Sequence, residues 1–78
     1  MPYNSKAFGL VVSRIRIKKG ISQETLSAMA QIARSHLTAL ENGQKVVRLD
    51  TFCRIAEALD IKPSALMLMT EEETEKRL

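Results

Sequence analysis

Apolar positions recur every three or four residues along this chain, and no stretch of strand length alternates apolar with polar, so the pattern predicts helices from end to end. Phe8, Val11, Val12 and Ile15 form one stripe, placing a first helix over 5–19 with Ser5 as its N-cap and Gly20 as its stop. Leu10 and Ile17 fall on the opposite side, as loose apolar surface or covered by the N-terminal arm. Ser22 is a suitable N-cap for a short second helix over 23–30, with Leu26, Met29 and Ala30 inward and Glu24 in the first turn, where the helix dipole favours an acid. A third helix is expected from about Ala33 to Glu41, ended by the turn residues Asn42-Gly43. After a loop over 44–47, a fourth helix turns Leu49, Phe52, Ile55, Ala56 and Leu59 inward and ends near Asp60. Pro63 suits the first position of a fifth helix reaching about Met69. Thr70-Glu71-Glu72-Glu73 has the capping-box spacing and can start another turn, although acidic termini of this kind tend to fray.

On a wheel of 100° per residue, Ala33, Leu37 and Leu40 of the third helix gather on one side, while Ser35, Thr38, Ala39 and Asn42 occupy the other with Arg34 on its flank. An ordinary surface helix carries more Glu and Lys. A face of small polar groups with one guanidinium can enter a groove of DNA, and its residue types suit base edges. Arg pairs with guanine O6 and N7, Ser and Thr donate or accept, and the methyl groups of Thr38 and Ala39 can meet a thymine methyl.

Charge distribution sharpens this picture. The formal net charge is +3, but residues 1–48 carry eight Lys/Arg against only Glu24 and Glu41, a net of +6, whereas residues 49–70 come to −1 and the remaining eight to −2. A basic front half and a neutral to acidic back half suggest a surface facing a polyanion and a separate surface facing another copy. At 78 residues the chain is one small domain, marginal by itself and in want of a staple or a partner. Cys53 is the only cysteine and His36 the only histidine, so neither an intrachain disulfide nor a metal site is expected, and a reducing, cytoplasmic setting fits. Cys53 is expected as a small buried apolar group. No run approaches the roughly 18–20 apolar residues of a membrane span, and the first residues lack the pattern of a signal peptide. The run Leu66-Met67-Leu68-Met69 is apolar all round its helix, which favours a self-facing interface over core alone. No paired acid and base, activated nucleophile or glycine-rich phosphate loop is present, so neither an enzyme nor a cofactor or small-molecule site is indicated.

Ser22-Gln23-Glu24-Thr25-Leu26, Ala30, Ile32, Leu37 and Leu40, then Glu41-Asn42-Gly43 and Ile55-Ala56-Glu57-Ala58-Leu59, resemble the Cro/C1-type (Xre) helix-turn-helix domain of phage repressors and small bacterial regulators. The likeness runs from about Phe8 to Leu66. It implies an all-α, five-helix, lambda-repressor-like fold, with residues 8–69 as the helix-turn-helix domain including a dimerising fifth helix, and residues 70–78 as an acidic C-terminal tail. The second and third helices become the helix-turn-helix pair, with residues 34–42 in the major groove. Arg34, Ser35 and Thr38 match base-facing positions. Gln23 matches a phosphate-contacting glutamine at a helix N-terminus capped by Ser22. Asn42 and Lys45 match backbone contacts, and His36, at the edge of the face, suits a phosphate. Arg16 and Glu41 match a pair that ties the first helix to the end of the third. Leu66, Met67 and Met69 are expected to form the twofold contact.

The sequence departs from the family at three places. Gln31 stands where a glycine usually makes the tight turn, so it takes a left-handed conformation or the turn differs. Ala33 stands where Ser or Thr usually caps the recognition helix. Val47-Arg48 replaces a frequent Pro-Ser. The implied function is a homodimeric, sequence-specific regulator of transcription that binds double-stranded DNA at operators and blocks or recruits RNA polymerase by occupancy. Its size fits a phage-type repressor, a restriction-modification controller or an antitoxin-like regulator. The alternative is a protein-interaction module that keeps the fold. Such a module should show aromatic or aliphatic anchors on the third helix, where this chain has Arg34, Ser35, Thr38 and Ala39.

Overall fold

A computed structural model describes residues 2–77 as five helices: α1 (Ser5–Lys18), α2 (Gln23–Ala30), α3 (Arg34–Glu41), α4 (Leu49–Ala58) and α5 (Pro63–Lys76). Among the described residues there is no strand. Asn4, one residue before the expected cap, closes the N-terminus of α1 by accepting the Ala7 N–H at 2.9 Å. Ser22 caps α2 through the Thr25 N–H at 3.0 Å. The first four helices end alike, on a residue with positive φ at Gly20, Gln31, Gly43 and Asp60. At each, the next amide reaches back five residues, as Gln44 does to the Ala39 carbonyl at 2.9 Å and Ile32 to Ser27 at 3.0 Å. Gln31 therefore adopts the left-handed conformation itself, at φ 59° and ψ 44°, and its Cβ meets a steric cost against the backbone that glycine would not.

The helices pack around one core. α1 lies against α3 and α5, α2 against α3 and α4, and α4 against α5. Phe8 stacks on Phe52 with centroids 5.4 Å apart, and Val12, Leu26, Leu37, Leu40, Ile55 and Leu59 fill the space around them. Tyr3 of the N-terminal arm packs beside Phe8 at 6.2 Å. It leaves Ile17 exposed and Leu10 half-buried.

Four sequence expectations need correction here. Met29 is 54% and Leu49 73% exposed, because Ser27 and Thr51 face inward in their stead. Ser27 can do so because its hydroxyl donates to the Glu24 carbonyl at 2.9 Å. Cys53 is exposed, one turn beyond Leu49 on the same outer face of α4. Leu66 is fully buried and belongs to the core cluster, so it cannot serve a contact between protomers.

Finally, α5 does not stop at Met69. It runs to Lys76 with Thr70, Glu73 and Thr74 buried against the domain. The two threonine hydroxyls donate to the carbonyls four residues back, at 2.8 and 2.7 Å, which satisfies them inside the core. Glu73 accepts from Arg14 at 2.8 Å and lies 3.7 Å from Arg77. The expected acidic tail is thus helix through Lys76 with Arg77 in the closing turn, and Leu78 lies outside the described residues.

Candidate nucleic-acid interface

α3 buries Leu37 and Leu40 and turns its other side outward. Arg34 and Ser35 are exposed, Thr38 and Ala39 half-buried, and Asn42 at the C-cap is exposed. Together with Gln23 at the start of α2, Arg34, Ser35, Thr38 and Ala39 line an open surface depression that Gln44 also borders. Gln44 was not expected there. Gly43, at φ 72°, turns the chain back along α3 and brings the next residue beside its exposed face. The Asn42-Gly43 signal could have placed it, since a residue that follows a left-handed cap folds over the helix it ends.

Behind this face lies a connected polar cluster. Arg16 Nε donates to Glu41 Oε2 at 2.7 Å and its Nη2 to Glu41 Oε1 at 3.0 Å, a bidentate pair. The remaining guanidinium nitrogen donates to the Ile21 carbonyl at 2.9 Å. Side-chain exposure is only 13% for Arg16 and 4% for Glu41, so the pair is screened little by solvent. Gln23 Nε2 donates to Glu41 Oε1 at 2.9 Å, and Thr38 Oγ1 donates to Gln23 Oε1 at 3.0 Å. The structure thereby brings Arg16, Glu41, Gln23 and Thr38 into one chain of hydrogen bonds that reaches from the junction of α1 and α3 to the exposed groove.

The two helices also meet backbone to backbone. Gly9 lies in the middle of α1, and a Cβ there would sit 2.7 Å from the Glu41 carbonyl carbon and closer still to the carbonyl oxygens of Leu40 and Glu41. Only hydrogen fits. Gly43 touches the first turn of α1 in the same way, where any side chain would strike Lys6. Lys6 therefore stands beside the loop that carries Lys45. Arg34, Lys45 and Lys6 form no ion pair among the described residues, so their charges face solvent uncompensated. His36 is half-buried. Ser22 has its hydroxyl engaged twice with Thr25, accepting from the amide and donating to Oγ1. Met67 is half-buried and Met69 exposed, well away from this face on α5, where Leu68 is exposed as well. Among the described residues there is no cluster of metal ligands and no helix long and apolar enough to cross a membrane.

Comparison with known proteins agrees with this geometry. The helix-turn-helix family model matches residues 12–66. The control protein C.BamHI of Bacillus amyloliquefaciens is 34% identical over 64 residues, which span 81% of this chain and 79% of that protein. The restriction-modification controller protein C.AhdI from Aeromonas hydrophila superposes with a TM-score of 0.77 at 39% identity, over 80% of this chain and 94% of that one. The restriction-modification controller protein C.Esp1396I, solved as a tetramer with its natural 35 base-pair operator, shares the fold with a TM-score of 0.82 at 19% identity, over 94% of this chain and 96% of that one. With an all-α fold of five helices and a helix-turn-helix formed by α2 and α3, this chain belongs to the Cro/C1-type helix-turn-helix family of DNA-binding transcriptional regulators.

Proposed function

We propose that this chain is a sequence-specific, double-stranded-DNA-binding regulator that acts as a homodimer at operator sites and controls transcription by occupancy, blocking or recruiting RNA polymerase. The observation that carries the reading is the outward face of α3, which offers Arg34, Ser35 and Thr38 beside an open depression and no aliphatic or aromatic anchor. In this reading Arg34, Ser35 and Thr38 read bases. Gln23, His36, Asn42, Lys45 and the α2 N-terminus at Ser22 hold phosphates. Gln23 keeps one amide hydrogen beyond its bond to Glu41, a donor suited to a phosphate oxygen. Of the regulator classes that the size fits, similarity to C.BamHI and C.AhdI favours a restriction-modification controller.

The twofold contact is assigned to the outer side of α5, through Met69 and Leu68 with the half-buried Met67, since Leu66 is internal. Met69 continues into an apolar groove with Ile15 and Ile61, rimmed by Lys18 and Lys19. That groove and the exposed end of α5 are what a second copy would cover. The recognition helices of a dimer should lie about 34 Å apart to meet successive major grooves.

Selection of bound sequences from random duplex DNA, followed by titration of two variants, tests the reading. Arg34→Ala should weaken the selected duplex by about 1–3 kcal/mol per half-site and flatten preference at one base pair. Lys45→Ala should weaken selected and scrambled duplex alike and lower the salt slope by about one for each phosphate no longer neutralised. Equal weakening of both duplexes by Arg34→Ala would show Arg34 to be a phosphate contact. Failure to enrich any sequence would remove the functional reading altogether.

A further inference from the structure

A carboxylate has no hydrogen to give, and that fact propagates through the cluster behind the recognition face. Glu41 is gripped at both oxygens by Arg16, so whatever else meets it must donate. Gln23 meets it at 2.9 Å and must therefore present its amide nitrogen, because the flipped amide would set oxygen against oxygen. With that orientation fixed, Gln23 turns its carbonyl oxygen toward Thr38, 3.0 Å away. The Thr38 hydroxyl has a single hydrogen, and it is spent on Gln23. Only lone pairs remain on the side that faces the groove.

We propose that Glu41, through Gln23, sets the hydrogen-bond polarity of Thr38, so that Thr38 meets DNA as an acceptor and selects a base offering an exocyclic amine, adenine N6 or cytosine N4, against guanine O6 or thymine O4. This rests on the functional reading above and adds the class of base read. Glu41 and Gln23 are positioning residues. Ser35 provides the contrast on the same face. It is exposed and engaged in no hydrogen bond among the described residues, so its hydroxyl rotates to suit either donor or acceptor and discriminates little. Arg34 offers donors only and selects acceptors. Neighbouring residues of one face thus read opposite polarities, and the assignment for Thr38 comes from its second partner rather than from the residue type.

The test uses the full chain with duplexes recovered by selection. Thr38→Val, which keeps the shape and removes the hydroxyl, should identify the base pair that Thr38 contacts by abolishing preference there. Adenine or cytosine should be the favoured base at that position. Replacing it with the analogue lacking the exocyclic amine, purine for adenine or 2-pyrimidinone for cytosine, should weaken the wild type roughly three- to ten-fold, as for one hydrogen bond, and leave Thr38→Val unchanged. Gln23→Met should free the hydroxyl of Thr38 and admit guanine or thymine at the same position. Because Gln23 is also assigned to a phosphate, the quantity compared is the ratio between duplexes, in which the missing phosphate bond weighs equally on both sides. Thermal melting and binding of scrambled DNA confirm that each variant is folded. Guanine or thymine preferred by the wild type, preference unaltered in Thr38→Val, or exclusion of guanine and thymine retained in Gln23→Met would each overturn the inference while leaving an operator-binding protein. A chain that enriches no duplex at all overturns both readings together.

Discussion

Replacement of Glu41 by alanine should be the most damaging single change at the interface, and its size follows from burial. The substitution leaves the Arg16 guanidinium, whose side chain is 13% exposed, without its bidentate partner and with a single carbonyl, that of Ile21, to accept from it. Breaking a buried pair in this way costs about 3–5 kcal/mol. A domain of this length has about 4–12 kcal/mol in total, at 0.05–0.15 kcal/mol per residue. The variant should therefore lose at least a quarter of its stability, and up to all of it. At 4–8 °C per kcal/mol for a small domain, the midpoint of thermal unfolding should fall by at least about 12 °C. Circular dichroism at fixed protomer concentration measures this, since any self-association adds to apparent stability. The double variant Arg16→Met with Glu41→Leu should recover to within about 1 kcal/mol of wild type, because the cost lies in the stranded charge and apolar side chains of similar volume do not incur it. Asp50→Ala serves as control. Its 3.3 Å pair with Arg48 is open to solvent on both sides and should cost no more than about 1 kcal/mol. If Glu41→Ala stays within 1 kcal/mol of wild type, or the double variant is as unstable as the single, the pair is not what joins α1 to α3.

Two further outcomes are expected. Gly9→Ala ordinarily gains up to about 1 kcal/mol in a helix interior, but here the sign should reverse, with a loss of about 1–3 kcal/mol or more by urea titration, because α1 must lift from the α3 carbonyls to admit a methyl. Met69→Glu should keep the far-ultraviolet spectrum and weaken self-association in sedimentation equilibrium by about ten-fold or more, since a contact that buries a large apolar side chain contributes about 1.5–3 kcal/mol. An unchanged association constant would take Met69 out of the twofold contact.

The positions and ends of the first four helices were legible because capping and turn chemistry are local. Ser22, Gly20 and Asn42-Gly43 act on their nearest neighbours, and apolar stripes such as Phe8-Val11-Val12-Ile15 need only periodicity. What escaped was polar residues turned inward. Leu66, Thr70, Glu73 and Thr74 lie at i, i+4, i+7 and i+8, a helical stripe as regular as any in the chain, but one that a division into apolar and polar residues breaks after its first member. The back-bonds of Thr70 and Thr74 and the arginines around Glu73 make those positions tolerable in a core, and only the fold shows where those arginines are. The same blindness pushed Leu66 outward and Leu49 and Met29 inward. At the site, the meeting of Arg16 with Glu41 was expected only from resemblance to a family. The bonds that continue from Glu41 to Gln23 and on to Thr38 run from α3 to α2 and back, and no spacing along the chain encodes them.

The contact at Gly9, where the backbones of α1 and α3 touch, has a mechanical consequence. With Arg16 and Glu41 clamped beside it, the end of α3 meets α1 with no side-chain cushion between the two backbones. Two such heads joined at α5 would behave as a gauge of nearly fixed span. A duplex whose half-sites were a little too near, too far or out of phase would have to supply the strain by bending or twisting, at about 1–6 kcal/mol for a smooth bend of 40–90° over a site of 20–30 base pairs. Stiffness in the protein would then be read as preference for flexible DNA between the half-sites, in steps that neither head touches.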